Sequence, residues 1–98
     1  MKRIYVAHPY GGKPENKTSV ENVIRGLVRQ DPDVLYISPI HATGYLYSDV
    51  DYGKGMDYCF ELLSVCDEIW LCPGWEKSKG CNLEKKYAEK HEIPVRCL

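Results

Sequence analysis

Apolar positions along the chain keep two rhythms in turn. Ile4-Tyr5-Val6-Ala7 is a short β-rich run that ends at Pro9 and Gly11-Gly12, a cluster of breakers that terminates a strand. Beyond it Val20, Val23, Ile24, Leu27 and Val28 recur at helical spacing, with Asn16 placed to cap the helix. Asp31-Pro32-Asp33 stops that helix and turns the chain. Val34 to Ser38 reads as a second strand closed by Pro39. His41 to Tyr52 has no clear period and reads as a loop with room for one helical turn. Helical spacing returns from about Gly55 to Val65, where Met56, Cys59, Phe60 and Leu63 share a face flanked by Leu62. Ile69-Trp70-Leu71-Cys72 is a continuous apolar run, the pattern of a parallel strand covered on both sides, and Pro73-Gly74 ends it. A loop from Trp75 to Gly80 leads into a third helix marked by Leu83, Tyr87 and Ala88 and reaching about His91. Ile93 to Cys97 is the last strand.

Strand and helix alternate throughout. That predicts an α/β fold, a flavodoxin/Rossmann-like three-layer sandwich with a small parallel sheet of four to five strands and right-handed crossovers. A chain of 98 residues suits one domain spanning 1–98, because much smaller units bury too little surface to fold alone. In such sheets ligands bind beyond the carboxyl ends of the strands. Function is therefore expected from the loops His8 to Gly12, Pro39 to Tyr47 and Pro73 to Asn82.

Composition narrows the partners. A formal net charge of −1 gives no bulk attraction to a nucleic acid polymer or an anionic membrane, so any phosphate must be held by local geometry. The first apolar run is too short for a signal peptide or a spanning helix. Five cysteines (Cys59, Cys66, Cys72, Cys81, Cys97) form an odd set without close pairs and read as buried thiols in a reducing, cytoplasmic compartment. No Cys-x-x-Cys pair offers a zinc site. Neither a metal nor another cofactor is expected.

The sharpest local feature runs from Trp75 through Ser78, Gly80 and Asn82 to Glu84. Serine, glycine and asparagine precede a helix whose first turn is expected to hold the glutamate. Free N–H groups at a helix start favour an anion, a serine hydroxyl adds a donor, and glycine admits a ligand close to the backbone. The simpler reading is that Ser78 or Asn82 caps the helix and Glu84 complements its dipole.

Read together, distant segments resemble the nucleoside 2-deoxyribosyltransferase superfamily, including small phage and bacterial members and the 2′-deoxynucleoside 5′-monophosphate N-glycosidases. The pieces that carry the likeness are Ile4 to Gly12, Cys66-Asp67-Glu68-Ile69-Trp70-Leu71, and Pro73 to Gly80 leading to Glu84. They occur in order over nearly the whole chain. The resemblance implies that Glu84, six residues after Ser78, is a nucleophile for the anomeric carbon of a deoxyribose. It implies that Tyr5 holds that carboxylate, that Gly11 and Gly12 line the pocket, and that Ser78 binds the 5′-phosphate or 5′-hydroxyl. A carboxylate nucleophile forms a glycosyl ester and splits one hard displacement into two easier ones. A tyrosine donor orients the carboxylate and favours its ionised form.

One position departs from the family. Its enzymes carry an aspartate eight residues ahead of the third strand's leading aspartate, where it helps protonate the leaving base. Counting back eight from Asp67 reaches Cys59. Asp57 is two residues away, which along a helix turns a side chain by about 200°. Asn82 also stands where the glycosidases have a glycine. A general acid contributes ~10²–10⁴-fold, so plain binding competes with catalysis at this site.

Other residues stay open between roles. His8 and His41, both in loops at the ligand edge, can serve a phosphate, supply the missing acid or act as structural hydrogen bonders. Tyr45, Tyr47 and Tyr52 can stack on a base or pack against a second subunit. Trp75 suits a lid, a base-stacking residue or plain packing, and Trp70 suits core or interface. Lys77 and Lys79 can neutralise a phosphate or stay solvated. The leading expectation is N-glycosidic cleavage or deoxyribosyl transfer on a small-molecule 2′-deoxynucleoside or its monophosphate. The alternatives are a non-catalytic nucleotide binder and a flavodoxin-like interaction module. The family likeness adds an expectation of a homodimer or higher homo-oligomer.

Overall fold

A computed structural model describes residues 1–98. The order of elements is β1 (Lys2–Ala7), α1 (Pro14–Gln30), β2 (Val34–Ile37), α2 (Pro39–Thr43), a 3-10 turn (Gly44–Leu46), α3 (Tyr52–Ser64), β3 (Glu68–Leu71), a second 3-10 turn (Trp75–Lys77), α4 (Lys79–Lys90) and β4 (Val95–Cys97). The four strands form one sheet in the order β2-β1-β3-β4, and every pairing is parallel. The predicted α/β sandwich with a four-strand parallel sheet is the fold observed. Because the chain leaves β1 towards β2 and later returns to its other side at β3, strand order reverses between β1 and β3. Crevices open at such a reversal, beyond the strand carboxyl ends.

Alternation along β1 builds two cores. Ile4 and Val6 pack with Val20 of α1, Tyr36 of β2, Ile40 of α2 and Cys72. Tyr5 and Ala7 pack with Leu63 of α3, Ile69 and Leu71 of β3, and Cys81 and Ala88 of α4. The period of two sends successive side chains to opposite faces, and helices cover both. Each fully buried aliphatic side chain contributes roughly 1.5–3 kcal/mol. No helix is long and apolar enough to cross a membrane.

Several boundaries differ from the sequence expectation, each for a local reason. Helix α1 begins at Pro14, where a proline loses nothing because the first N–H groups of a helix lack intrahelical partners. Asn16 does not cap it, and its Nδ2 instead donates to the Tyr10 carbonyl at 2.9 Å. The segment expected to be mostly loop holds α2 and a 3-10 turn, begun by Pro39 and capped by Ser38, whose side chain accepts from the His41 N–H. Helix α3 starts three residues earlier than Gly55, with Asp51 as its cap. Helix α4 starts at Lys79 with Ser78 as its cap. Gly80 and Asn82 therefore lie inside the helix, and Glu84 lies beyond its first turn. The last strand shortens to Val95–Cys97 because the Ile93 N–H is turned back to the Ala88 carbonyl at 2.8 Å.

Candidate functional site

A cavity of about 550 Å³ opens at the β1/β3 reversal. Its walls come from the loop after β1, the segment from α2 into α3, and the start of α4. Tight turns bring the first of these close. Gly11, on the cavity wall, sits at φ +61° and Gly12 at φ +73°, a left-handed backbone that glycine adopts without cost to a side chain. Gly12 stands behind the wall, where an added Cβ would meet the Tyr47 ring at 3.1 Å. The Asn16 bond to Tyr10 fixes the loop, and the rings of Tyr10 and Tyr47 meet edge-on at 5.4 Å.

At the floor lies Glu84, only 5 % exposed. Its position on α4 carries the side chain inward, and the Tyr5 hydroxyl of β1 donates to its carboxylate. Burial pushes the Glu84 carboxyl up to about 7, opposed by the Tyr5 hydrogen bond. Burial and the neighbouring carboxylate raise the Tyr5 phenol well above its ordinary value, so Tyr5 remains a donor. The suggestion that Glu84 merely complements the helix dipole fails here, because α4 has no acidic residue in its first turn and dipole effects fade beyond it.

Ser78 faces the cavity while its Oγ accepts the Cys81 N–H at 3.2 Å. Capping and a place on the cavity wall thus coexist in one residue. Gly80 lines the wall where a Cβ would meet the Tyr52 hydroxyl at 3.1 Å, so a larger residue there would push that hydroxyl aside. Asn82 is off the wall. Its Nδ2 reaches the carbonyls of Trp75, Glu76 and Ser78 at 3.2, 3.1 and 2.8 Å and straps the loop before α4. Trp75 is also off the wall, packed on the core under α3 and α4, with Lys85 Nζ 5.7 Å from its ring centroid.

The two histidines part company. His8 lines the cavity, with Nδ1 2.7 Å from the Pro9 carbonyl and Nε2 3.0 Å from Ser19 Oγ. A carbonyl only accepts, so Nδ1 carries the proton it shares with Pro9. His41 is not in this cavity. It sits on α2 in a separate shallow groove, with Nε2 2.6 Å from Glu21 and Nδ1 2.8 Å from Ser38 Oγ. That hydrogen bond from His41 holds the Glu21 carboxyl below its ordinary value.

Cys59 of α3 lines the cavity beside the Tyr5 and Thr43 hydroxyls. Burial and the nearby Glu84 push its thiol up to about 11. Asp57 points to solvent with its side chain 64 % exposed, 3.9 Å from Lys54. Counting from Asp67 thus reaches the residue that faces the cavity. Tyr47, Tyr52, Lys77 and Lys79 also line it, whereas Tyr45 does not. Tyr10 falls in the expected His8 to Gly12 loop, whereas the sequence reading did not place Lys13, Asp51 and Met56 at the site. Asp51 was legible as an aspartate three residues before the N–H it caps; the others carry no local signal.

The fold and the site define an α/β domain with a cavity at a sheet reversal and a buried carboxylate on its floor. The chain belongs to the family described as domain of unknown function DUF4406, which matches residues 2–97. Among solved structures it is similar to "2-desoxiribosyltransferase from Leishmania mexicana", with a TM-score of 0.70 and 22% identity. The match covers 100% of this chain and 64% of that one, so this chain spans just under two thirds of that protein's length. At this identity the likeness is one of fold. A search of curated proteins finds no match.

Proposed function

We propose that this protein cleaves the N-glycosidic bond of a 2′-deoxynucleoside or its 5′-monophosphate through Glu84, passing the sugar to water or to another base. The observation that carries the reading is a buried glutamate on the cavity floor, held by a strand tyrosine. In this mechanism ionised Glu84 attacks the anomeric carbon and forms a glycosyl ester, which the acceptor then opens. Tyr5 orients the carboxylate and stabilises its charge in a site where burial opposes it. Ser78, with Lys77 and Lys79 beside it, faces the sugar's 5′ end, and Gly11 and Gly80 let the ligand approach the backbone. Likeness of fold to a protein named as a deoxyribosyltransferase supports the reading. Tyr45, 75 % exposed between the cavity-lining Gly44 and Leu46, adds a second subunit to it. A monomer by sedimentation velocity would remove that part.

One observation favours a second reading, a nucleotide binder without turnover: Cys59 stands where the resemblance places an acid. Free-base release from a panel of deoxynucleosides and their monophosphates, measured by chromatography, separates the two. Catalysis predicts release that Glu84→Gln abolishes. Ligand-induced thermal stabilisation with no release from any substrate would establish the binder.

A further inference from the structure

A second, separate groove of about 290 Å³ is bounded by α1, β2 and the start of α2. Glu21, Ile24 and Arg25 of α1, Tyr36 of β2, and Ser38 and His41 line it. Three of these side chains form one hydrogen-bonded chain that the glycosidic mechanism does not use. His41 Nε2 lies 2.6 Å from Glu21 Oε2, and its Nδ1 lies 2.8 Å from Ser38 Oγ. Hydroxyl, imidazole and carboxylate follow in the order that activates a serine for attack on a carbonyl carbon. The ring nitrogens are exchanged relative to the usual serine-hydrolase triad, with the acid on Nε2, but such triads are recognised by geometry and roles.

The local chemistry fits those roles. The hydrogen bond from His41 holds the Glu21 carboxyl below its ordinary value, so it is ionised at neutral pH. A carboxylate only accepts, so Nε2 carries a proton, and in the neutral ring Nδ1 is left as a base facing the serine. Ser38 Oγ also accepts the His41 N–H at 3.4 Å, which anchors the hydroxyl at the helix cap. Solvent reaches all three: Ser38 is half-buried, and the His41 and Glu21 side chains are 36 % and 33 % exposed. Arg25 puts a cation on the same wall, suited to a carbonyl oxygen that gains charge. The volume lies at the small end of ligand sites, roughly 300–1,000 Å³, and suits a short acyl group. We infer a second activity, independent of the glycosidic reading: hydrolysis of small carboxylic esters, with Ser38 as nucleophile, His41 as general base and Glu21 positioning the ring. Ser38 Oγ bonds to the carbonyl carbon as its proton passes to His41 Nδ1. The alkoxide then leaves with its electron pair and takes that proton, and the acyl group stays on Oγ. Water adds to the acyl carbon and gives a proton to Nδ1. The Ser38 oxygen leaves, recovers that proton, and the free acid departs.

The test uses p-nitrophenyl acetate as substrate and a fluorophosphonate as a covalent probe. Wild type is expected to release p-nitrophenolate above the buffer rate, and mass spectrometry should find the probe on the peptide containing Ser38. Ser38→Asn keeps a side chain able to cap α2 and should lower the enzyme-dependent rate at least ~10²-fold, as should His41→Gln. Glu21→Gln, which keeps the shape of the side chain without its charge, should lower kcat and leave KM unchanged. No release above buffer, release undiminished in Ser38→Asn, or a probe adduct on another residue alone would overturn the inference. Base release from deoxynucleosides is a separate readout, so either activity can fail without the other.

Discussion

Ile4 and Val6 of β1 enter a core closed by Val20, Ile40 and Cys72, while Tyr5 and Ala7, one residue out of step, enter a core with Leu63, Leu71 and Cys81. Both consist of buried side chains. On the first side the polar exception is Tyr36, whose hydroxyl lies 3.4 and 3.3 Å from the carbonyls of Leu27 and Asp31. On the second the Tyr5 hydroxyl meets a carboxylate, and the same degree of burial holds Glu84 near 7. Burial therefore does different work on the two faces of one strand. On the α1 side it supplies stability, and on the α3/α4 side it tunes an acid at some cost to stability.

The largest expected break in that contrast is Glu84→Gln, which should lower base release by roughly 10³-fold or more, since loss of a covalent nucleophile is rarely compensated. Smaller is Tyr5→Phe. Removing a hydrogen bond to a charged group costs about 1.5–3 kcal/mol, or ~10–100-fold in rate. The proposed mechanism uses ionised Glu84, so the wild-type rate should climb as pH rises through about 7. The Tyr5→Phe limb should lie at higher pH, because the lost donor favoured the charged form. A pH–rate profile of both proteins checks this.

Stability sharpens the contrast with smaller effects. Val20→Ala should destabilise the fold by about 2 kcal/mol, equally at pH 5 and pH 8. Glu84→Gln should do the opposite in one window. A carboxyl whose folded pKa is raised binds its proton more tightly when folded, so wild-type stability falls as pH rises from the ordinary glutamate range to about 7. The variant should exceed wild type by on the order of 1–2 kcal/mol at pH 8, with less difference at pH 5. Denaturant titrations at the two pH values measure both.

Much of this was legible along the chain. Short apolar runs ended by breakers and period-3.6 patterns place the four strands and three long helices, and the order of strands and breakers locates the ligand edge. What escaped depends on contacts between distant segments. Asn16 looks like a cap but ties the Tyr10 loop, and Asn82 looks like a ligand contact but ties the loop before α4. His41 lies in a ligand-edge segment by sequence yet turns to Glu21 of α1. Spacing also placed Glu84 in the first helical turn, whereas α4 starts at Lys79, directly after its Ser78 cap, and leaves Glu84 beyond that turn. No local pattern shows that this glutamate meets Tyr5; the family resemblance alone implied it, and the contact forms across the folded sheet.

The most direct measurement is mass spectrometry of enzyme quenched during turnover of a deoxynucleoside. A deoxyribosyl adduct on the peptide containing Glu84, absent from Glu84→Gln, is the predicted result. Base release that continues at the wild-type rate in Glu84→Gln, or an adduct on another residue, would contradict the account.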